Sequence, residues 1–196
     1  MPRAFVAVPL DDPTKRAVSA QIERLRRLSK AVAWVPPRNL HLTLRFLGDQ
    51  TEEQLAEVLP ALEEAASGIP SFTLGFKGLG AFPTLDRPRT LWVGVSDGAA
   101  EVQRLQARVA ASLERRGMPI EARAWLAHLT IGRVTDGKRG SREGMPELRS
   151  AMMRRATASF GKMPVASMAL MRSDLYSSGA RYTSIALVAL SSEEEA

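Results

Sequence analysis

Cysteine is absent from this chain of 196 residues. That excludes disulfides, thiolate nucleophiles and cysteine-built zinc sites, and it suits a reducing compartment. Long hydrophobic runs are missing as well. No stretch approaches the roughly 20 apolar residues of a membrane-spanning helix. The apolar run in MPRAFVAVPLDD is closed by Asp11 and Asp12, too early for a signal peptide. No Gly-rich or Ser-rich linker interrupts the chain, so residues 1–196 are expected to form one two-lobed domain with a real core. The expected setting is cytoplasmic, with no membrane partner and a monomer as the working state. Histidine is scarce, with two in all, and no G-x-S-x-G elbow is present for acyl transfer.

Charge of one sign is in mild deficit. Lys plus Arg number 27 against 21 for Asp plus Glu, a formal net charge of +6. A basic balance attracts polyanions, RNA among them, although a surplus of this size serves solubility equally well. Arg87, Arg89, Arg139 and Arg142 and the segment Lys138–Arg142 concentrate part of it, while Glu193–Glu195 reads as a frayed end.

Periodicity supplies the elements. Ala4–Pro9 reads as a strand, followed by a helix capped by Asp12 with Pro13 in its first turn and Val18, Ile22, Leu25 and Leu28 as its apolar stripe. A turn over Trp34–Asn39 leads into a strand through Leu40–Leu47. Thr51 and Gln54 form a capping box for a helix carrying Leu55, Val58, Leu59 and Leu62. Strands follow at Phe72–Leu79 and Thr90–Val95, then a helix from Ala99 to Arg115. The last elements are a strand over Leu126–Val134, a short helix near Met145–Ala156 and strands at Val165–Met171 and Tyr182–Leu190. Trp34, Trp92 and Trp125 are assigned to the core.

The two histidines sit in one repeated pattern, His41-Leu42-Thr43-Leu44 and His128-Leu129-Thr130-Ile131, 87 positions apart (128 − 41). The same offset carries Val6-Ala7-Val8 onto Val93-Gly94-Val95, which points to two diverged copies of one strand–helix–strand unit. On a strand, alternate side chains share a face. Each histidine therefore stands beside a threonine, while Leu42, Leu44 and Phe46, or Leu129 and Ile131, point into a core. Two imidazoles can serve as base and acid in opening a cyclic phosphodiester, since near neutral pH one can be neutral and the other protonated. The threonine hydroxyls can bond the non-bridging phosphate oxygens. A structural histidine is the commoner fate of one such residue, but the pairing at matching points of a repeat favours chemistry. Two histidines without cysteine make a poor metal set, so neither metal nor cofactor is expected. Arg45 has the parity of His41 and is a candidate for the cleft. Phe82 and Tyr182 are candidates for stacking a terminal base.

These motifs resemble the two-histidine (2H) phosphoesterase superfamily, and within it the bacterial RNA 2′,3′-cyclic phosphodiesterases, also called 2′–5′ RNA ligase-like proteins. The stretches that carry the resemblance are Trp34-Val35-Pro36, Leu40 through Gly48, Gly80-Ala81-Phe82-Pro83, Leu91 through Val95, Ser173-Asp174-Leu175 and Gly179-Ala180-Arg181-Tyr182. It implies a bilobal α+β fold, with two antiparallel sheets facing a central cleft, helices outside and a pseudo-two-fold duplication. It implies hydrolysis to a 2′-phosphate, with His41 protonating the leaving 3′-oxygen, His128 activating water, and Thr43 and Thr130 as phosphate ligands. The residues alone leave the two histidine roles open. The resemblance also allows 2′–5′ ligation, including that of tRNA halves. Arg133 matches a family arginine near the phosphate, but strict alternation puts it opposite His128, so reaching the cleft requires a bulge or the end of the strand. Ala127 stands where the family usually has proline. The alternatives are a small cyclic nucleotide or ADP-ribose cyclic phosphate as substrate, or an RNA-binding module without turnover.

Overall fold

The computed structural model describes residues 3–119, 124–135, 143–177 and 179–191. Residues 139 and 142, the rest of the basic segment 138–142 and the acidic tail lie outside them. The strands among the described residues are β1 (Arg3–Pro9), β2 (Val32–Trp34), β3 (His41–Asp49), β4 (Phe72–Pro83), β5 (Pro88–Val95), β6 (His128–Val134), β7 (Ser159–Val165), β8 (Ser167–Tyr176) and β9 (Gly179–Ala189). The helices are α1 (Asp12–Arg26), α2 (Glu52–Ala66), α3 (Ala99–Arg115) and α4 (Met145–Met153).

Local chemistry accounts for the helix starts. Asp11, and not Asp12, caps α1: its carboxylate accepts the Thr14 N–H at 2.9 Å, which leaves Asp12 and Pro13 inside the first turn. Thr51 and Gln54 make both bonds of the capping box ahead of α2. The stripe Val102, Leu105, Val109 and Leu113 of α3 is wholly buried. Each such side chain contributes on the order of 1.5–3 kcal/mol by leaving water.

The strands run in the order β7-β4-β5-β6-β3-β1-β8-β9, all antiparallel, with β2 paired to β6 off this path. That order mirrors itself about the centre, where β3 meets β6 and the two lobes join. Their ladder holds one residue pair, Leu42 with Leu129. These two are related by the 87-residue offset, so a local two-fold axis passes between them. Beyond this pair the strands part. β2 takes over the edge of β6 at Val32–Trp34, and the Trp125 indole N–H donates to the Thr43 carbonyl at 3.1 Å. The two halves are thus parts of one continuous antiparallel sheet joined at this narrow seam, and not two separate sheets.

One face of the sheet is covered by helices. Leu42, Leu44, Leu129 and Ile131 are fully buried there in a contiguous cluster with Val6, Val93 and Leu105. β7 has no counterpart in the sequence reading. Its run Ser-Phe-Gly-Lys-Met-Pro-Val alternates weakly, and it forms as an edge strand because β4 offers it a partner over Phe72–Lys77.

Candidate active site

Where β3 and β6 cross, His41, Thr43, His128 and Thr130 all lie on the face away from the helices, partly exposed, while the leucines between them are buried. The Leu42–Leu129 register sets His41 across from Thr130, and Thr43 across from His128. The structure thus brings all four predicted residues to one spot.

Backbone carbonyls orient both rings. The His41 Nδ1 lies 2.7 Å from the Asn39 carbonyl oxygen, and the His128 Nδ1 lies 2.7 Å from that of Leu126. Asn39 and Leu126 are again 87 positions apart. A carbonyl can only accept, so each Nδ1 carries the proton and each neutral ring keeps its lone pair on Nε2. In His41 that atom is 3.1 Å from the Thr43 hydroxyl. The tautomer of each neutral ring is therefore set by the main chain two residues upstream. Burial holds the His41 pKa below its ordinary value. The Arg133 cation lowers it further, and the bond to the Asn39 carbonyl opposes both.

Aromatic rings brace each imidazole. Tyr182 meets His41 edge-on at 5.2 Å between centroids, and Phe5 lies 4.7 Å from His41 and 5.0 Å from Tyr182. In the other lobe Phe82 meets His128 edge-on at 5.0 Å and lies 5.4 Å from Trp92. Phe5 and Trp92 are themselves related by the 87-residue offset. Phe82 and Tyr182 are accordingly at the site. Trp92 belongs to this face and not to the core of the sequence reading. Its ring lies flat over Gly80, where any Cβ would collide with it. The offset that matched Val6 to Val93, extended by one residue, would have found the pair Phe5 and Trp92.

Two bulges decide the remaining candidates. Between β1 and β3 the pairing steps from Arg45 to Thr43 and leaves Leu44 extra, and between β5 and β6 it steps from Gly132 to Thr130 and leaves Ile131 extra. Each bulge shifts the alternation by one residue. Arg45 is thereby turned to the helix side, against expectation. Its side chain is 5% exposed, and its guanidinium donates to the Pro119 carbonyl and pairs with Glu114 at 3.5 Å. Arg133 moves the other way. It comes onto the histidine face, exposed, with its charge felt at His41 and a long 3.4 Å contact to Thr90 Oγ1. Phe46, expected in the core, also reaches this face and is 59% exposed. Arg87 and Arg89 are exposed on the β4–β5 hairpin.

Asn39 is a site residue that the sequence reading passed over. It is buried, and its side-chain amide donates to the Ala180 carbonyl at 2.7 Å, tying the turn before β3 to the start of β9 beside Tyr182. Asn39→Ala should lower stability by about 0.5–1.5 kcal/mol, because the half-buried Ala180 carbonyl loses its donor. A urea-unfolding midpoint unchanged from the parent protein would contradict that role.

Among the described residues, no group of three or more His, Cys, Asp or Glu side chains could hold a metal ion. No described helix is long and apolar enough to cross a membrane.

The chain is similar in sequence and in fold to known proteins. A family model described as LigT-like phosphoesterase matches residues 8–92, which include His41 and stop short of His128. An RNA 2′,3′-cyclic phosphodiesterase of Aquifex aeolicus is 37% identical over 174 residues, 87% of this chain and 89% of that one. One from Archaeoglobus fulgidus is 37% identical over 180 residues, 92% of this chain and 96% of its own. Among solved structures, TT0787 of Thermus thermophilus superposes with a TM-score of 0.78 at 27% identity, covering 97% and 99% of the two chains. The E. coli LigT complex with 3′-AMP shares the fold, with a TM-score of 0.74 at 21% identity and coverage of 97% and 99%.

Proposed function

This chain belongs to the LigT-like phosphoesterase family, and from that we propose that it hydrolyses 2′,3′-cyclic phosphodiesters at RNA ends to 2′-phosphomonoesters. The observation that carries the reading is the pair of histidines meeting across the Leu42–Leu129 axis, each with its Nδ1 proton committed to a main-chain carbonyl. With Nδ1 committed, Nε2 of each ring is the atom that exchanges a proton in the cleft. His128 takes a proton from water, whose oxygen forms the new bond to phosphorus. The bond from phosphorus to the 3′-oxygen breaks, and His41 supplies the proton to that oxygen. Thr43, Thr130 and Arg133 stabilise the charge that gathers on the non-bridging oxygens.

Burial and the Arg133 cation hold His41 below its ordinary pKa. A bound phosphate anion pairs with that cation and favours the imidazolium, so His41 becomes the acid when substrate arrives. Phe82 and Tyr182 form the walls of the substrate site. Arg45 is left out of it, being buried against Glu114. One lobe supplies each histidine, so we read residues 1–196 as a single two-lobed domain that is complete as a monomer. With a 5′-hydroxyl in place of water, as at the ends of tRNA halves, the same proton transfers yield a 2′–5′ linkage.

The test is an RNA with a 2′,3′-cyclic end, incubated with the protein in EDTA. Turnover should persist, because proton transfer between two histidines and water needs no metal, and the product should carry its phosphate on the 2′-oxygen. A 3′-phosphate product, or loss of turnover that one divalent ion restores, would overturn the mechanism.

A further inference from the structure

Between α1 and β7, on the helix side of the sheet, lies a recess of about 380 Å³ that shares no residue with the histidine cleft. Small-molecule sites span roughly 300–1,000 Å³. Ala17 and Ala20 line it from α1 and Gly161 from β7, small residues that leave the space open. Its charge is of one sign. Arg24, Arg155 and Lys162 line it, and no acidic side chain does so among the described residues. The acidic residues of α1, Asp12 and Glu23, are engaged elsewhere, by Lys15 and Arg26. Lys162 pairs with Asp97 at 3.0 Å, whereas Arg24 is exposed and forms no ion pair among the described residues.

Arg155, in the turn between α4 and β7, is held in place. Its Nε and Nη2 donate to one oxygen, the Oε1 of Gln21 on α1, at 3.2 and 3.0 Å. Gln21 is 4% exposed. A buried carboxylate there would close an ion pair. The buried amide orients the guanidinium and leaves its charge whole, with further N–H donors to offer a ligand. Beside Gln21 on α1, Thr14 also lines the recess. It is 2% exposed, and its hydroxyl has no hydrogen-bond partner among the described residues. Buried polar groups are nearly always bonded, so this one calls for a partner from outside the chain.

We propose that this recess is a second ligand site, one that takes a phosphomonoester group. Such a group carries about −1.5 to −2 charge near neutral pH and three terminal oxygens. That suits a fixed guanidinium with two more cations around it. A backbone phosphodiester has a single charge and two free oxygens, and would leave part of the cationic set unmatched. The site does not depend on the reaction at the histidines.

The test follows backbone amide signals by NMR while methyl phosphate is titrated into the full-length protein at about pH 7.5, where the monoester is mostly a dianion. The amides of residues 21–24 and 159–162 should shift with a saturable profile, separate from any shift at His41 or His128. At about pH 5 the monoester holds one charge fewer, and its affinity for the recess should fall. Arg155→Gln and Arg24→Gln should each weaken binding there by roughly 10- to 150-fold, the worth of one charge-assisted bond. Arg24 is exposed, so its variant judges the site even if Arg155→Gln disturbs the packing of α1 on β7. Dimethyl phosphate and a single-stranded RNA with hydroxyl ends should not displace methyl phosphate. An RNA ending in a 2′-phosphate carries the same monoester. If it binds these amides more tightly than methyl phosphate does, the group arrives on a chain end, and if not, on a small molecule. Shifts that never saturate, an affinity unchanged in both variants, or displacement by the diester or the hydroxyl-ended RNA would overturn the proposal.

Discussion

Replacing His41 or His128 with asparagine should slow kcat by a factor on the order of 10²–10⁴, the usual weight of a positioned acid or base. Asparagine is the informative change. Its amide reproduces the Nδ1 donor that each ring offers to the carbonyl of Asn39 or Leu126, and it removes the titrating Nε2. The main-chain anchor is kept while the proton exchange is lost. Folding should be little affected, because neither ring belongs to the buried cluster on the helix side. A cost near 1 kcal/mol corresponds to about 2–4 °C in Tm for a chain of this size. The parent kcat/KM should be bell-shaped in pH, with limbs that belong to the coupled pair. His128→Asn should flatten the acid limb and His41→Asn the alkaline one. Near-full activity in either variant, or loss of the same limb in both, would remove the paired-histidine mechanism.

Arg133→Ala should cost roughly 10²–10³ in kcat, as does removal of one donor aimed at the developing oxyanion. A second effect separates it from ordinary loss of binding. Arg133 lowers the His41 pKa in the folded protein because a neighbouring cation destabilises the imidazolium. Without that cation the imidazolium is cheaper to form, so the limb set by His41 moves to higher pH. Arg133→Lys keeps the charge and loses the planar fork, so it should hold the limb in place and recover only part of the rate. Rate–pH profiles of the three proteins decide this. An unmoved limb in Arg133→Ala would show that the guanidinium does not act on His41.

The Arg133 result also marks where sequence stops being sufficient. Much of the fold was legible. α3 spans Ala99–Arg115, as its apolar period requires, and the capping box at Thr51 forms with both of its bonds. The repeat of 87 residues foretold the most consequential contact in the molecule, since Leu42 and Leu129 pair across the axis that it implies. The alternation of His-Leu-Thr-Leu and His-Leu-Thr-Ile placed the catalytic candidates on one face. These are local properties, set by side-chain period and helix-end chemistry within a few residues.

What lay beyond reach was decided between strands. Counting by twos put Arg45 in the cleft, Phe46 in the core and Arg133 on the wrong face. The bulges at Leu44 and Ile131 reversed all three. A bulge exists only relative to a partner strand, because it is one strand's extra residue where the other has none. The same holds for β7, which becomes a strand because β4 has an open edge, and for Trp92, which lies over Gly80 only once β4 and β5 are paired. The sequence by itself determined the repeat, the helices and the two His-x-Thr faces. Only the tertiary structure decided which cation and which aromatic ring join them, because facing depends on register, and register is a property of two strands.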